Sequence, residues 1–359
     1  MKKENLTAVC VMAGGIGERF WPLSRTMRPK QLLAITGERT MLRETIARHA
    51  GLSKPEDVYI ITTKEQAGLI EKETAELPKG NVIPEPCGRN TAPCVALAAA
   101  LLYAKDPESV MVVVSSDHHI PDSAAYRATI EDAIALARQE HVLVTIGVVP
   151  RYPETGYGYI KGGEEIAYPG KTKAMKVSRF LEKPPLAVAE ELYKTPGVFW
   201  NAGMFVFNTK DILSAFERFM PESNPELKEI VRNAGKEGER AAIENYYRVV
   251  TKISIDNAVL EKADNVAVLA ASFQWNDVGS WTSASSHWPE DGDGNRLKGE
   301  IKLLESEDCI VGNYHEGLVG VIGLKDVVVI RTGDAVLVCA KDKVQDVKKL
   351  LNGLDEKYR

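Results

Sequence analysis

The feature that most constrains this chain is an apolar run that leads into a glycine-rich loop and then into spaced cations, all within residues 6–33. The run at 6–12 has the continuous apolar character of a buried β-strand. Gly14, Gly15 and Gly17 follow, and glycines let a loop adopt positive φ and bring backbone N–H groups close to phosphate oxygens. A strand, a glycine loop and a string of cations together favour a nucleoside triphosphate site.

Two familiar phosphate-binding loops do not fit this stretch. A P-loop requires Gly-Lys-Ser/Thr, which does not follow Gly17, and a Rossmann fingerprint requires a third glycine where this chain has Phe20. For the glycine motif alone, an ordinary glycine-rich turn after a strand is an equally good interpretation. The sequence motif after the loop favours a binding function over that turn. It reads Glu-Arg-Phe-Trp-Pro-Leu-Ser-Arg and then Pro-Lys-Gln.

Length, charge and cysteine usage exclude several classes of protein. A chain of 359 residues can bury a substantial core, and its length suggests one large domain with an appendage. The net charge of −5, without any basic run, argues against a nucleic-acid partner. The five cysteines are odd in number and include no C-x-x-C pair, which favours a reducing compartment and argues against a zinc site.

Two segments bear on targeting. The N-terminal sequence MKKENLT has no long apolar region behind it, so we expect no signal peptide. The most apolar helical stretch, 92–104, is shorter than the about 20 residues that a membrane span needs. We therefore expect a cytoplasmic protein with no membrane partner. The sequence does not decide the oligomeric state, and a homodimer stays open.

The first half of the chain alternates β-rich apolar runs with helical patterns. Strands are predicted at 58–62, 110–114 and 143–148. The helical patterns between them lie at 40–50, 64–76, 92–104 and 124–138. This alternation predicts an α/β fold with a mostly parallel sheet covered on both faces, and ligands of such folds bind beyond the carboxyl ends of the strands. The later segment 222–248 carries charge on most faces, and we expect it to form a solvated cover.

The glycine loop and its suffix resemble the signature of the sugar-nucleotide pyrophosphorylases, a G-x-G-x-R loop followed by a Pro-Lys pair. The Trp-Pro-Leu-Ser-Arg and Pro-Lys-Gln spellings are most similar to the mannose-1-phosphate guanylyltransferases of that family. The resemblance is strong over 7–285 and loose beyond it. It implies a Rossmann-like nucleotidyltransferase domain in which Arg19 and Lys30 act on the triphosphate. The nucleotide-binding residues that it implies in the loop are Ala13, Gly14, Gly15 and Gly17.

The loop after the strand-like residues 82–83 reads Pro-Glu-Pro-Cys-Gly-Arg-Asn-Thr-Ala-Pro. A helix start alone would explain part of this loop, because Thr91 is a suitable N-cap and a proline suits the first turn. The contiguous spelling resembles the segment that lines the base pocket in guanylyltransferases. That resemblance implies nucleotide-binding roles for Glu85, Gly88, Asn90 and Thr91. A carboxylate such as Glu85 suits guanine because it can accept hydrogen bonds from N1–H and from the 2-amino group.

Two carboxylates are predicted at the ends of strands. Asp117 follows one apolar strand, and Asp277 follows another within the sequence Trp-Asn-Asp-Val-Gly-Ser-Trp. An aspartate after a strand is often only a turn residue, but a carboxylate at this place is also suited to hold Mg²⁺ against phosphate. The resemblance implies that Asp117 and Asp277 are the metal ligands. His118 and His119 receive no role, since nothing else in the sequence completes a zinc site.

Three further segments interrupt the alternation of strands and helices: Thr-Gly-Tyr-Gly-Tyr, Phe-Leu-Glu-Lys-Pro and Trp-Asn-Ala-Gly-Met-Phe. Each by itself could be a turn between antiparallel strands. In this order they resemble the sugar-phosphate subsite of the family, which implies sugar-binding roles for Gly156, Glu182 and Asn201. The same resemblance implies that Lys183 holds the sugar phosphate. Asp256, in Ser-Ile-Asp-Asn-Ala-Val, could equally cap a helix or brace the site.

A Pro/Gly/Asp-rich boundary after Trp288 separates two domains, which we place at residues 1–288 and 289–359. Beyond the boundary, short β-rich runs recur every eight to ten residues and predict a small β-domain similar to an incomplete β-helix. A final helix is predicted at 343–351. Longer members of the family carry a phosphomannose isomerase domain here. Because this chain stops, we expect that second activity to be absent.

The resemblance implies an enzyme that transfers GMP from GTP to mannose 1-phosphate with Mg²⁺ and without a covalent intermediate. One alternative is the same chemistry on another sugar 1-phosphate, such as glucose 1-phosphate. The other alternative is a binding module that senses a sugar nucleotide without turnover. Five charged side chains suited to the chemistry argue against a sensor: Arg19, Lys30, Asp117, Lys183 and Asp277.

Overall fold

The computed structural model describes residues 5–359, which form two compact units. The large unit comprises the residues before Gly15, 46–115 and 120–275, and the second unit comprises 15–45, 116–119 and 276–359. This division differs from the sequence boundary at residue 288, because aromatic residues of the segment 15–45 share a core with the tail. Residues 1–4, on which part of the argument against a signal peptide rests, lie outside the described residues.

The large unit is built on one nine-stranded sheet. Its strands are β1 (Thr7–Met12), β2 (Val58–Thr63), β3 (Val82–Glu85), β4 (Val110–Ser115), β5 (Leu143–Val148), β6 (Tyr159–Glu165), β7 (Ala174–Leu181), β8 (Val198–Asn208) and β9 (Val266–Ala270). They lie in the order β3-β2-β1-β4-β8-β5-β9-β7-β6. The block β3-β2-β1-β4 is parallel throughout and β5 pairs in parallel with β9, which confirms the parallel core expected from the alternation.

The other pairings of this sheet are antiparallel. β8 runs antiparallel between β4 and β5, and β6 pairs antiparallel with both β7 and β8. β8 is eleven residues long, and its register places Asn201 opposite Gly147 of β5. The segments that break the sequence alternation therefore lie on β6, β7 and β8, or in the loops beside them.

Helices connect and cover these strands. They are α1 (Met41–Arg48), α2 (Lys64–Glu73), α3 (Thr91–Lys105), α4 (Ser123–Glu140), α5 (Leu186–Leu192), α6 (Thr209–Phe219), α7 (Asn224–Asn233) and α8 (Glu239–Val249). The expectation of a solvated cover over 222–248 is wrong for one face of this segment. Leu227, Ile230, Ile243 and Tyr247 are buried in the same core as α3. Charged residues hid this apolar face because they occupy the intervening positions of α7 and α8.

The second unit contains two small sheets. Its strands are β10 (Arg296–Lys298), β11 (Ile301–Leu304), β12 (Ile310–Asn313), β13 (Val319–Ile322), β14 (Val327–Arg331) and β15 (Val336–Ala340). β10, β12 and β14 pair in parallel, as do β11 and β13, while β15 pairs antiparallel with β14. The same sequence offset separates Ile310 from Val328 and Ile301 from Val319, which is typical of a chain that winds in coils.

Aromatic side chains hold the second unit together. The rings of Phe20 and Trp281 meet edge to face with centroids 5.0 Å apart, and Trp281 Nε1–H donates to the carbonyl of Trp21 at 3.1 Å. The short helix α9 (Trp281–Ser285) carries Trp281, and the predicted final helix is reduced to α10 (Val347–Leu350) between two 3₁₀ turns. The residues that follow the glycine loop are thus anchored on the tail.

Two further sequence-based expectations concern the cysteines and membrane-spanning helices. All five cysteines are free thiols. Among residues 5–359, no helix combines the length and the apolar character required to cross a membrane.

Candidate active site

The glycine loop begins in the large unit, where the sheet fixes its first residue. The N–H of Ala13 donates to the carbonyl of Ile61 at 2.8 Å, and its carbonyl accepts from Thr62 Oγ1 at 2.9 Å. Both backbone groups of Ala13 are therefore used by β2. A Cβ built on Gly14 would lie 3.4 Å from Glu85 Oε2, so Gly14 keeps the space in front of that carboxyl group open.

Gly17, in the second unit, makes a close approach that only glycine allows. Its φ is 76°, and a Cβ at this position would lie 2.3 Å from the Cβ of Lys30. The N–H of Lys30 donates to the carbonyl of Ile16 at 2.9 Å, and Ser24 Oγ donates to the carbonyl of Gly17 at 2.7 Å. The loop thus holds the backbone of Lys30 against itself. Arg19 lies in the next turn and is exposed.

Lys30 is the centre of a charged cluster in the second unit. Its side chain is buried, and Nζ donates to Asp117 Oδ2 at 2.8 Å and to the backbone carbonyl of Asp277 at 2.9 Å. Burial by itself would raise the pKa of Asp117, but the positive charges of Lys30 and His118 hold that pKa below its usual value. Asp117 is therefore an ionised carboxylate beside an ammonium group.

A two-residue ladder brings the segments of Asp117 and Asp277 together. The N–H of His119 donates to the carbonyl of Asn276 at 2.9 Å, and the N–H of Asn276 donates back at 3.0 Å. The ring of His119 also packs on His287, with centroids 4.1 Å apart. His119 thus joins the two segments, a role that the sequence did not assign.

The two aspartates offer oxygen ligands of the kind that Mg²⁺ prefers. The Asp117 side chain is 33% exposed, and the carboxylate of Asp277 accepts a local bond from the N–H of Gly279 at 3.1 Å. Residues 5–359 contain no group of three or more His, Cys, Asp or Glu side chains placed to hold a metal. A pair of carboxylates fits Mg²⁺, which commonly keeps water and phosphate oxygens as its other ligands.

Glu85, at the end of β3, is a buried carboxyl group with a neutral partner. It is 5% exposed, and Tyr247 Oη of α8 donates to its Oε1 at 2.6 Å. Burial raises the pKa of Glu85 to about 7, and the bond from Tyr247 lowers it only in part. The other oxygen, Oε2, is the one that faces Gly14.

The side chains of Asn90 and Thr91, which were also predicted to line the base pocket, make hydrogen bonds within the protein. Asn90, at φ 69°, caps α3 by accepting the N–H of Thr91 at 2.8 Å. Thr91 Oγ1 accepts the N–H of Ile255 at 2.9 Å. Gly88 and Asn90 are exposed. The helix-start interpretation therefore holds for this loop, but the N-cap is Asn90 and not Thr91, because Thr91 is already the first helical residue. Contact of these residues with a nucleotide stays a prediction.

The predicted sugar-side residues lie on or beside β6, β7 and β8. Lys183, at φ 47°, contacts Glu182 Oε1 through its Nζ at 2.5 Å. A Cβ built on Gly158 would lie 2.5 Å from Glu182 Oε2 and 3.3 Å from the Cβ of Asn201, so Gly158 is needed where these two side chains converge. Gly156 lies in an exposed turn, where its N–H donates to Glu154 Oε1 at 2.8 Å.

Asn201 is held by three neighbours. Its Nδ2 donates to Asp256 Oδ1 at 2.8 Å, and its Oδ1 accepts from Thr145 Oγ1 and from the N–H of Gly203, each at 3.1 Å. Burial and then the charge of Glu182 raise the pKa of Asp256 to about 6. Asp256 therefore lies close to both sugar-side residues, although its sequence position is far from theirs.

Sequence reasoning missed Tyr247, Gly158 and Thr145. Tyr247 lies on the buried face of α8, and the charged residues at the intervening positions of that helix made its burial hard to recognise in the sequence. Gly158 stands in the Thr-Gly-Tyr-Gly-Tyr motif itself, and a glycine between two tyrosines was the available clue to a close approach. Thr145 reads as one more residue of an apolar strand.

Comparisons with known proteins identify the domains and the family of this chain. A family profile described as nucleotidyl transferase matches residues 8–290, and a profile described as MannoseP isomerase/GMP-like beta-helix domain matches 299–354. The chain is 38% identical over 352 residues to an Escherichia coli mannose-1-phosphate guanylyltransferase, with coverage of 97% of this chain and 74% of that one. The second profile confirms the β-helix-like tail.

Solved structures extend the comparison. The crystal structure of a Thermus thermophilus protein, given as a mannose-1-phosphate geranyltransferase, superposes with a TM-score of 0.85 at 32% identity and covers 96% of this chain and 98% of that one. A Helicobacter pylori mannose-6-phosphate isomerase superposes with a TM-score of 0.59 at 25% identity, covering 76% of this chain and 99% of that one.

The fold and the two family profiles define a nucleotidyltransferase, an α/β enzyme with a β-helix-like tail. Within that class, the chain belongs to the mannose-1-phosphate guanylyltransferase family, at 38% identity over nearly its whole length.

Proposed function

We propose that this chain transfers GMP from GTP to α-D-mannose 1-phosphate and releases GDP-mannose and pyrophosphate. The observation that carries the choice of guanine is the buried carboxyl group of Glu85, with one oxygen bonded to Tyr247 and the other facing the space that Gly14 keeps open. Guanine offers N1–H and N2–H donors to such an oxygen, whereas adenine offers an acceptor at N1 and no 2-amino group. An unpaired buried carboxylate would disfavour adenine.

The chemistry needs no group covalently attached to the protein. A phosphate oxygen of mannose 1-phosphate attacks the α-phosphorus of GTP in line, and the bond from that phosphorus to the bridging oxygen of the β-phosphate breaks. Pyrophosphate leaves with the electron pair of that bond. Such a transfer depends on positioning and on neutralising charge as it develops. Arg19 and Lys30 are proposed to act on the triphosphate, and Lys183 on the sugar phosphate.

Asp117 and Asp277 are proposed to hold Mg²⁺. When bound, the ion would neutralise charge on phosphate oxygens during the transfer. Lys30 already orders these residues, because its Nζ bonds the Asp117 carboxylate and the Asp277 carbonyl. On the sugar side, Glu182 is proposed to accept from a sugar hydroxyl and Asn201 to donate to one. Gly88, Asn90, Thr91 and Gly156 are proposed to complete the binding surface through their backbone.

Pyrophosphate release by the purified protein tests this function. GTP, ATP, UTP and dTTP are each offered with mannose 1-phosphate and Mg²⁺, and the best nucleotide is then offered with glucose 1-phosphate. We expect the highest kcat/KM for GTP with mannose 1-phosphate, by at least about tenfold over ATP. A higher value for UTP or dTTP would overturn the base assignment, and a higher value for glucose 1-phosphate would overturn the sugar assignment.

Two further measurements narrow the outcome. Binding of GDP-mannose without any pyrophosphate release would identify a sensor instead of an enzyme. Interconversion of fructose 6-phosphate and mannose 6-phosphate, assayed on the same preparation, would show that residues 1–359 carry an isomerase activity as well.

A further inference from the structure

Asn201, in the middle of β8, has little freedom left in its hydrogen bonds. An amide oxygen offers two acceptor sites, and an amide nitrogen offers two donors. Both acceptor sites of Oδ1 are taken, by Thr145 Oγ1 and by the N–H of Gly203, and one donor of Nδ2 is taken by Asp256. Among the bonds of the described residues, one N–H of Asn201 is therefore left to offer to a ligand.

Asp256 decides which way this amide faces. If the amide were flipped, its oxygen would face the carboxylate of Asp256 and its NH₂ group would face the N–H of Gly203. Both contacts would be repulsive. Asp256 is 8% exposed, so its carboxylate cannot exchange Asn201 for bulk water at low cost. The flipped state is therefore disfavoured from two sides.

The surroundings of Asp256 argue against the alternative role of a helix cap. Asp256 is the first residue of a π-helical turn, Asp256–Leu260, whose N-terminal flank at Ile255 has no side-chain cap. The carboxylate of Asp256 instead bonds Asn201, on a strand far away in sequence. The geometry thus points toward the sugar-side residues.

Glu182 supplies the complementary group. Gly158 lies against both Glu182 Oε2 and the Cβ of Asn201, since a Cβ on Gly158 would come within 2.5 Å and 3.3 Å of them. The carboxylate of Glu182 and the side chain of Asn201 therefore lie against the same backbone position. A hydroxyl group suits such a pair, because its oxygen can accept from Asn201 while its proton goes to Glu182.

We propose that Asp256 is a positioning residue that makes Asn201 a hydrogen-bond donor, and not an acceptor, toward a sugar hydroxyl. This inference rests on the proposed function, because it presumes that Asn201 and Glu182 contact the sugar 1-phosphate. Asp256 itself contacts no substrate and acts through Asn201. Its loss should therefore weaken binding of the sugar and leave the nucleotide side unaffected.

A double-mutant cycle between Asp256 and Asn201 tests the proposal. We expect Asn201→Ala and Asp256→Ala each to raise the KM for mannose 1-phosphate by about tenfold, the scale of one lost hydrogen bond, while the KM for GTP stays within about twofold. The double variant should be no worse than Asn201→Ala alone, because Asp256 then has nothing to position. Asp256→Asn can still present an oxygen to Asn201 Nδ2, so it should recover most of the affinity.

Additive effects of the two alanine variants would overturn the proposal. So would an equal rise in the KM for GTP, since a general loss of structure moves both substrates. If Asp256→Ala does not fold, Asp256→Ser takes its place in the cycle, because a serine hydroxyl is too short to reach Asn201 Nδ2 in the way the carboxylate does. The same two outcomes, coupled or additive effects with Asn201→Ala, then support or contradict the proposal.

Failure of the proposed function is recognised separately. Turnover of the wild-type protein tests that function, and the coupling between Asp256 and Asn201 tests this inference. If the wild type prefers another sugar 1-phosphate, the cycle is measured with that sugar, because the geometry specifies a hydroxyl and not the sugar that carries it. If the wild type turns over no sugar 1-phosphate, the affinity for GDP-mannose relative to GDP replaces the KM. Loss of that ratio in both single variants, without further loss in the double variant, supports the coupling.

Discussion

Two carboxyl groups, one in each unit, have opposite kinds of hydrogen-bond partner. Glu85, in the large unit, is 5% exposed and bonded to a neutral phenol, and burial raises its pKa to about 7. Asp117, in the second unit, is bonded at 2.8 Å to the ammonium group of Lys30. Burial would raise the pKa of Asp117 as well, but the charges of Lys30 and His118 hold it below the usual value.

The difference lies in the partner and not in the degree of burial alone. A neutral donor leaves a buried carboxyl group close to its titration point, which suits the recognition of an uncharged base by hydrogen bonds. An ammonium partner keeps the carboxylate ionised over the whole physiological range, which suits a place where phosphates and a cation are handled. Variants of the charged cluster around Lys30, and variants of the neutral pair of Glu85 and Tyr247, should therefore differ in their effects.

The largest effect is expected when the charged partner is removed. Lys30→Met should lower kcat with GTP and mannose 1-phosphate by about a thousandfold, the upper scale for losing one group that stabilises developing charge. Thermal stability should also fall, because Asp117 loses its counter-charge. The matched control is Lys176→Met, whose exposed pair with Glu164 should matter little to either quantity. Equal kcat in the two variants would contradict the role of Lys30.

A smaller loss is expected at the second aspartate. Asp277→Asn keeps the shape of the side chain and leaves the backbone carbonyl that Lys30 contacts, so the fold should be preserved. Turnover should fall by about a hundredfold or more, because one of two carboxylate ligands for Mg²⁺ is lost. The measurement is kcat over a series of Mg²⁺ concentrations, with the circular dichroism spectrum as the check on folding. Turnover near the wild-type value in saturating Mg²⁺ would refute the metal role.

The pair of Glu85 and Tyr247 is tested through the preference of the enzyme for GTP over ATP. Glu85→Gln should reduce the preference for GTP over ATP by roughly ten- to a hundredfold, because an amide can present a donor to N1 of adenine while a carboxylate cannot. Tyr247→Phe removes only the donor to Oε1 and should reduce the preference for GTP over ATP by about threefold to tenfold. Competition between the two nucleotides, followed by product analysis, gives both numbers. A preference unchanged in Glu85→Gln means that another residue reads the base.

The raised pKa of Glu85 adds a dependence on pH. Guanine needs the ionised carboxylate, so kcat/KM for GTP should fall as pH drops below about 7, toward tenfold per pH unit, and this slope should disappear in Glu85→Gln. Stability should move the other way. Between the ordinary pKa of 4.5 and about 7, the folded state holds more protons at Glu85 than the unfolded chain, so the free energy of unfolding falls as pH rises through this window. A pH series of unfolding midpoints for wild type and Glu85→Gln checks the sign.

Much of the fold could be predicted from the sequence because its signals are local. The apolar runs that became β1, β4 and β5 identify the parallel core, and the regular short runs of the tail identify the coils. Local motifs likewise marked Lys30, Asp117, Asp277, Glu182 and Asn201. The structure joins the first three into one cluster, a juxtaposition that no spacing in the sequence announces.

What the sequence could not predict depends on contacts between distant segments. Tyr247 reaches Glu85 from a helix 162 residues away, and Asp256 reaches Asn201 from 55 residues away. Neither contact leaves a periodic pattern, because each uses a single side chain. The pKa of Glu85 follows from such a contact and from burial, and so it could not be derived from residue type.

The smallest effect on kcat is expected for a substitution in the glycine loop, at the residue that packs against Lys30. Gly17 has a φ of 76° and would place a Cβ 2.3 Å from that of Lys30, whereas a Cβ on Gly15 meets nothing within 4 Å. Gly17→Ala should therefore destabilise the protein by about 1–3 kcal/mol and lower kcat by several-fold, since the strain displaces Lys30 from Asp117. Gly15→Ala is the matched control, and it should leave the unfolding midpoint close to that of the wild type. If kcat falls in Gly17→Ala at a temperature where the variant is fully folded, the loop positions the ammonium group of Lys30 for the reaction. If only the unfolding midpoint falls, the ion pair between Lys30 and Asp117 forms without help from the glycine.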